Sequence, residues 1–93
     1  MPDRISKDIS RIVYSREIER AFISWKKRDA VVFEKIESAV AKILQEPFVG
    51  KPLRYTMKNR RRVHIGSFVL VYEFYNGELR FLDFDHHDHI YKQ

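Results

Sequence analysis

Apolar residues change their spacing along this chain, and the change separates a helical first half from a stranded second half. A polar arm runs to Lys7, after which Ile9 to Tyr14 holds Ile12, Val13 and Tyr14 in succession. β-Branched and aromatic residues without helical spacing predict a short strand there. Ser15 stands where a helix cap belongs, and Glu17 and Glu19 occupy the first turn, where exposed N–H groups favour negative charge. Ile18, Ala21, Phe22 and Trp25 then form one apolar stripe, and Lys26, Lys27 and Arg28 close the helix with the sign its end prefers. Asp29 offers a second cap, and Phe33, Ile36, Val40, Ile43 and Leu44 share a face until Pro47. Helices joined this tightly form an antiparallel hairpin.

Beyond Pro47 the period shortens. Arg62 to Ile65, Phe68 to Tyr75 and Glu78 to Phe84 read as strands, with Gly66-Ser67 and Asn76-Gly77 between them. Asn-Gly is a strong signal for a type I′ hairpin turn, so a three-stranded antiparallel meander is expected after the helices. Side chains alternate along a strand, so Phe68, Leu70, Tyr72 and Phe74 should pack beneath the helices. Val69, Val71, Glu73 and Tyr75 should then share a face that stays open. The expected class is α+β: an N-terminal strand, a helical hairpin, then a meander sheet with both helices on one face.

Composition narrows what such a fold can be for. With 93 residues, 44% of them hydrophobic, the chain has material for one modest core, so residues 1–93 are expected to form a single domain. The absence of cysteine excludes disulfides and thiolate metal sites and fits a reducing, cytoplasmic setting. The longest apolar run, Phe68 to Tyr72, is far too short to span a membrane, and Met1 to Ile9 is charged where a signal peptide needs an apolar block. Eighteen Lys and Arg against thirteen Asp and Glu leave a net charge of +5. That charge is concentrated: Lys51, Arg54, Lys58, Arg60, Arg61 and Arg62 lie in a stretch with no acidic residue from Pro47 to Arg62. Such a footprint suits phosphate binding and an RNA partner.

Cleaving RNA without a metal takes a base for the 2′-hydroxyl, cations for the charge growing on phosphorus, and an acid for the leaving 5′-oxygen. Histidine serves either proton-transfer role near neutral pH. His64 follows directly on the basic run, so it can face a phosphate held by Arg60 and Arg62. The segment Asp83 to His89 holds three histidines and three aspartates, followed by Tyr91. Imidazole and carboxylate also bind zinc or manganese, but this spacing matches no compact metal signature, and no metal site or small-molecule cofactor is expected. Glu73 is a further candidate base, though pairing with an Arg of the neighbouring strand accounts for it better. Phe22 and Trp25 are explained by helical spacing as core or partner contacts.

The order of strand, helical hairpin and meander resembles the RelE/ParE toxin superfamily. Lys51-Pro52-Leu53-Arg54 and the run from Arg62 through Val63, His64, Ile65, Gly66 and Ser67 to Phe68 look like its core signature. In that family a basic loop leads into a strand with alternating Arg, a Gly turn and an aromatic strand with Tyr; a basic or His residue precedes a Tyr near the end. Those places are held here by Arg62, His64, Gly66, Phe68, Tyr72, His87 and Tyr91. The resemblance implies a toxin that is a metal-independent mRNA endonuclease, often acting on the ribosome, and is neutralised by a cognate antitoxin wrapped over its surface. It implies catalytic roles for His87 and Tyr91 beside His64, and RNA contact by His86. The sequence departs from the better-known RelE pattern where Val69 stands in place of a basic residue and His64 in place of a second Arg. Its histidines place it nearer the histidine-using branch. ParE-like relatives share the fold and poison gyrase without cleaving RNA.

Overall fold

A single serine starts the helical layer and ties it to the sheet. In the computed structural model, which describes residues 5–53 and 59–91, the Ser15 hydroxyl accepts from the Ile18 N–H at 3.0 Å and donates to the Leu82 carbonyl at 2.7 Å. The strand before it is β1 (Arg11–Tyr14), two residues shorter than its pattern suggests, and the helix after it is α1 (Arg16–Arg28). Asp29 ends α1 and caps α2 (Ala30–Gln45), accepting from the N–H groups of Val31 at 3.1 Å and Val32 at 3.3 Å. The hairpin therefore turns on one residue.

The strands that follow are β2 (Lys51–Pro52), β3 (Arg60–Ile65), β4 (Phe68–Tyr75) and β5 (Glu78–His86), and a short helix, α3 (His87–Tyr91), comes after them. They form one five-stranded sheet in the order β1-β5-β4-β3-β2, in which β1 runs parallel to β5 and the other pairs are antiparallel. The expected meander is its centre. Asn76 and Gly77 have φ of 53° and 81°, the positive values that a type I′ turn requires at both positions. β3 starts earlier and β5 ends later than the apolar pattern marks them, because ladder hydrogen bonds extend over polar residues as readily as over apolar ones. No helix among the described residues is long and apolar enough to cross a membrane.

The core lies between the hairpin and one face of the sheet. Ile18, Ile36, Ala39, Ile43 and Leu44 from the helices meet Ile65, Leu70, Tyr72, Leu79, Phe81 and Phe84 from the strands. Each fully buried side chain of Leu, Ile or Phe size contributes about 1.5–3 kcal/mol. Phe68 and Phe74 pack against the same cluster, so the alternation expected for β4 holds on this side. On the other side it needs correction. Val69 and Val71 are 0% and 4% exposed although they share the face away from the helices. In register, Val69 lies between His64 and Asp85, and Val71 between Arg62 and Asp83, so longer neighbours flank both valines.

One irregularity decides which residues of β5 see that face. Val71 pairs with Asp83 but Tyr72 pairs with Phe81, leaving Leu82 as an extra residue, a β-bulge. Before it, Leu79 and Phe81 point to the core; after it, Phe84 does, while Asp83 and Asp85 turn to the opposite face. The carbonyl of the extra residue is the one that takes the Ser15 hydroxyl.

Candidate active site

The face away from the helices is built of cross-strand rows. One row reads Lys51, Arg62, Val71, Asp83; the next reads His64, Val69, Asp85; a third reads Arg60, Glu73, Arg80. Positive charge therefore collects on β2 and β3, and carboxylates on the end of β5. Arg60 pairs with Glu73 at 3.8 Å, as the neighbouring-strand reading of Glu73 expects, and the Arg62 guanidinium donates to the Pro52 carbonyl at 2.5 Å. Exposed pairs of this kind are worth little energetically, so Arg60 can exchange its carboxylate for a phosphate at small cost. Arg80 is bridged to Glu78, and Arg11 lies 3.8 Å from the same carboxylate.

His64 is exposed on β3 and stands at the rim of a cavity of about 520 Å³ between that strand and α2, whose charged lining is Glu34, Lys35 and Lys42. Lys35 and Lys42 were not among the residues the sequence singled out. The signal was present, since a spacing of seven puts both on one side of α2, but nothing local says that this side borders the basic strand.

At the other end of the row, the segment after Phe84 is ordered structure rather than a loose polar tail. His86 is the last residue of β5, and the His87 N–H donates to the Ser67 carbonyl at 3.0 Å, anchoring α3 to the turn between β3 and β4. Two strand spacings, roughly 10 Å, separate His64 from Asp85 on the shared face. Asp85 accepts from the His86 N–H at 2.7 Å and lies 3.1 Å from Nδ1 of His89. Burial acts to raise the Asp85 carboxyl, but the bond to His89, the His86 N–H and the two imidazoles together hold it below its ordinary value. Asp83 goes the other way: burial raises it against the pull of the Phe84 N–H, with help from the charges of Asp85 and Glu17. Asp88 sits between two imidazoles, 2.9 Å from Nδ1 of His87 and 3.6 Å from Nδ1 of His86. Linear spacing gave no metal signature, yet the strand-to-helix junction brings ligand atoms of His86, His87 and Asp88 within 4.8 Å of one another.

One residue of the basic run and one of the signature hold the fold together. The Arg61 guanidinium donates to the carbonyls of Gly50 at 2.7 Å and Phe48 at 3.2 Å and stacks over the Phe48 ring. It lies opposite Tyr72, a core residue, one position out of step with Arg60 and Arg62, which face the other way along β3. Tyr72 is fully buried; its hydroxyl donates to the Pro47 carbonyl at 2.7 Å and accepts from the Gly50 N–H at 2.9 Å. Burial raises its phenol, against smaller opposing effects of Gly50 and Arg61. Trp25 stands edge-on to Phe68 and Phe84 with Arg28 over its ring, which fits a packing role. Arg54, Lys58 and the Tyr91 side chain lie outside the described residues.

Comparison with known proteins sets this geometry in context. The model of a family described as ParE toxin of type II toxin-antitoxin system, parDE, matches residues 7–91. A relative from Methanocaldococcus jannaschii, bearing the provisional name toxin RelE4, is 43% identical over 70 residues, 72% of this chain and 74% of that one. Among solved structures, a YoeB/ParE toxin from Agrobacterium tumefaciens superposes with a TM-score of 0.71 at 20% identity, covering 83% of this chain and 98% of its own. The toxin-antitoxin complex RelBE2 from Mycobacterium tuberculosis gives 0.61 at 23% identity, covering 81% and 94%. At those identities the superpositions speak for the fold.

Proposed function

Since this chain belongs to the ParE toxin family of type II toxin–antitoxin systems, and so works against a cognate antitoxin, we propose that its toxic act is metal-independent cleavage of mRNA on the ribosome, in the cytoplasm. What supports this reading is the row of His64, Val69 and Asp85 on a face whose β2–β3 side is basic, with the His89 ring bonded to Asp85 at the far end of the row. Lys51, Arg60 and Arg62 hold the phosphate, with Arg54 and Lys58 from the same basic run and His86 at the far side. His64 and His87 supply the base for the 2′-hydroxyl and the acid for the 5′-oxygen, roles for which imidazole has the right donor and acceptor atoms. Tyr91 stacks on a splayed base or donates a proton. The test is to incubate the purified protein with translating ribosomes and map mRNA 5′ ends. New cuts phased to the A site are expected; intact mRNA under conditions that arrest growth sinks the reading.

A second reading rests on the family match itself, since ParE-like toxins poison gyrase on the same fold. It predicts intact mRNA and loss of DNA supercoiling by purified gyrase when the protein is added.

A further inference from the structure

We propose that His86, His87 and Asp88 form a binding site for one divalent transition cation of the zinc class, and that filling it switches off the cleavage assigned above. The second half rests on the proposed function; the first stands without it.

The donor set decides the class of ion. Two imidazoles and one carboxylate are the ligands of zinc, cobalt and nickel, whereas magnesium and calcium prefer sites of oxygen alone. The donor atoms lie within 4.8 Å of one another, and Asp88 already reaches both rings, at 2.9 Å and 3.6 Å from their Nδ1 atoms. A tetrahedral zinc with bonds of about 2.0–2.1 Å sets its ligands roughly 3.3 Å apart. Closing the difference calls on side chains at the surface. The backbone is held beforehand by the His86 N–H on Asp85, the His87 N–H on Ser67 and the Asp88 N–H on Nδ1 of His86. His86 gives up that last bond, 3.2 Å long, when it turns to the ion. His89 stands behind the cluster, bonded to Asp85 with its ring 6.2 Å from that of His86, and supports the site from outside. Three protein ligands leave the fourth position to water.

Occupation and RNA cleavage exclude each other for a plain chemical reason. A metal ligand must offer the imidazole lone pair, and a His87 ring whose Nδ1 lone pair is held by the ion carries its hydrogen on Nε2 and has no lone pair left to take a proton. The site is therefore inhibitory, the opposite of a catalytic metal.

Calorimetric titration of the full chain with zinc chloride reads the site directly, with magnesium chloride as control. One ion per chain is expected, with no heat from magnesium, and an affinity at least tenfold weaker in both H86Q and D88N, each checked for native circular dichroism. More than one equivalent of similar affinity, or unchanged affinity in both variants, overturns the site. Cleavage on ribosomes is then followed as zinc is added, with free zinc buffered. Loss of activity should share its midpoint with the calorimetric curve, and D88N should need at least tenfold more zinc. Full activity at full occupancy overturns the switch and leaves the site. Metal-free protein that never cuts mRNA overturns the proposed function and the switch with it, while the titration still decides the site.

Discussion

Tyr72 shows how one side chain can belong to a family signature and yet serve the fold. Its hydroxyl satisfies the Pro47 carbonyl and the Gly50 N–H inside the protein, so Tyr72→Phe leaves two buried groups without that partner. A loss of about 1–3 kcal/mol is expected in urea unfolding. His87 is its counterpart in the site. His87→Ala should lower mRNA cleavage a hundredfold or more, the usual cost of a lost general acid or base, with the melting temperature nearly unchanged because the ring is half exposed. Asp83 carries a pH dependence. Burial raises its carboxyl above the unfolded value, so the fold holds that proton more tightly than the unfolded chain does. Its contribution is therefore most favourable below the unfolded pKa and declines as pH rises through the folded one. Asp83→Asn should raise the melting temperature near neutral pH and change it little in acid; thermal scans at both ends check the sign. Residues such as His64 and His87 were legible as candidates because imidazole chemistry is a property of the residue. The partners of the Tyr72 hydroxyl and of the Arg61 guanidinium were not, because both lie in a loop, Pro47 to Gly50, whose position only the sheet defines.

Elements with their own local signals were read most closely. The caps Ser15 and Asp29, the Asn76-Gly77 turn and the face of β4 beneath the helices follow from contacts within a few residues, so sequence alone locates them. The two-residue β2, the parallel partner of β1 and the bulge at Leu82 depend on pairing across the chain and carry no local mark. The bulge matters most for the site, because it puts Asp83 and Asp85 on the face of His64 while keeping Phe84 in the core. Deleting Leu82 would remove the bulge and let Phe81 and Asp83 follow one another opposite Tyr72 and Val71, so Asp83, Phe84 and Asp85 keep their faces while the carbonyl that Ser15 binds is lost. The melting temperature should fall further on deletion than in Leu82→Ala, which keeps that carbonyl. Differential scanning calorimetry distinguishes the two.

For the molecule as a whole, the net charge of +5 matters less than its separation into a basic β2–β3 side and an acidic, histidine-rich end. Lys51→Glu with Arg60→Glu spares Arg62, which holds the Pro52 carbonyl. If both lysine and arginine meet phosphates, the slope of log affinity for RNA against log salt should fall in magnitude by about two; filter binding across a salt series measures it, and an unchanged slope removes them from the interface. The parallel pairing of β1 with β5 bears on when any of this surface exists. Ser15 and Leu82, joined by a hydrogen bond, are 67 positions apart, and contacts of such separation are closed late in folding because the intervening chain must first be restrained. During synthesis β1 emerges long before its partner, and the row from His64 to Asp85 has no third strand until β5 follows. A growing chain thus carries the basic stretch before Asp85 and the histidines after it can join the row, and the proposed site exists only once β5 has paired.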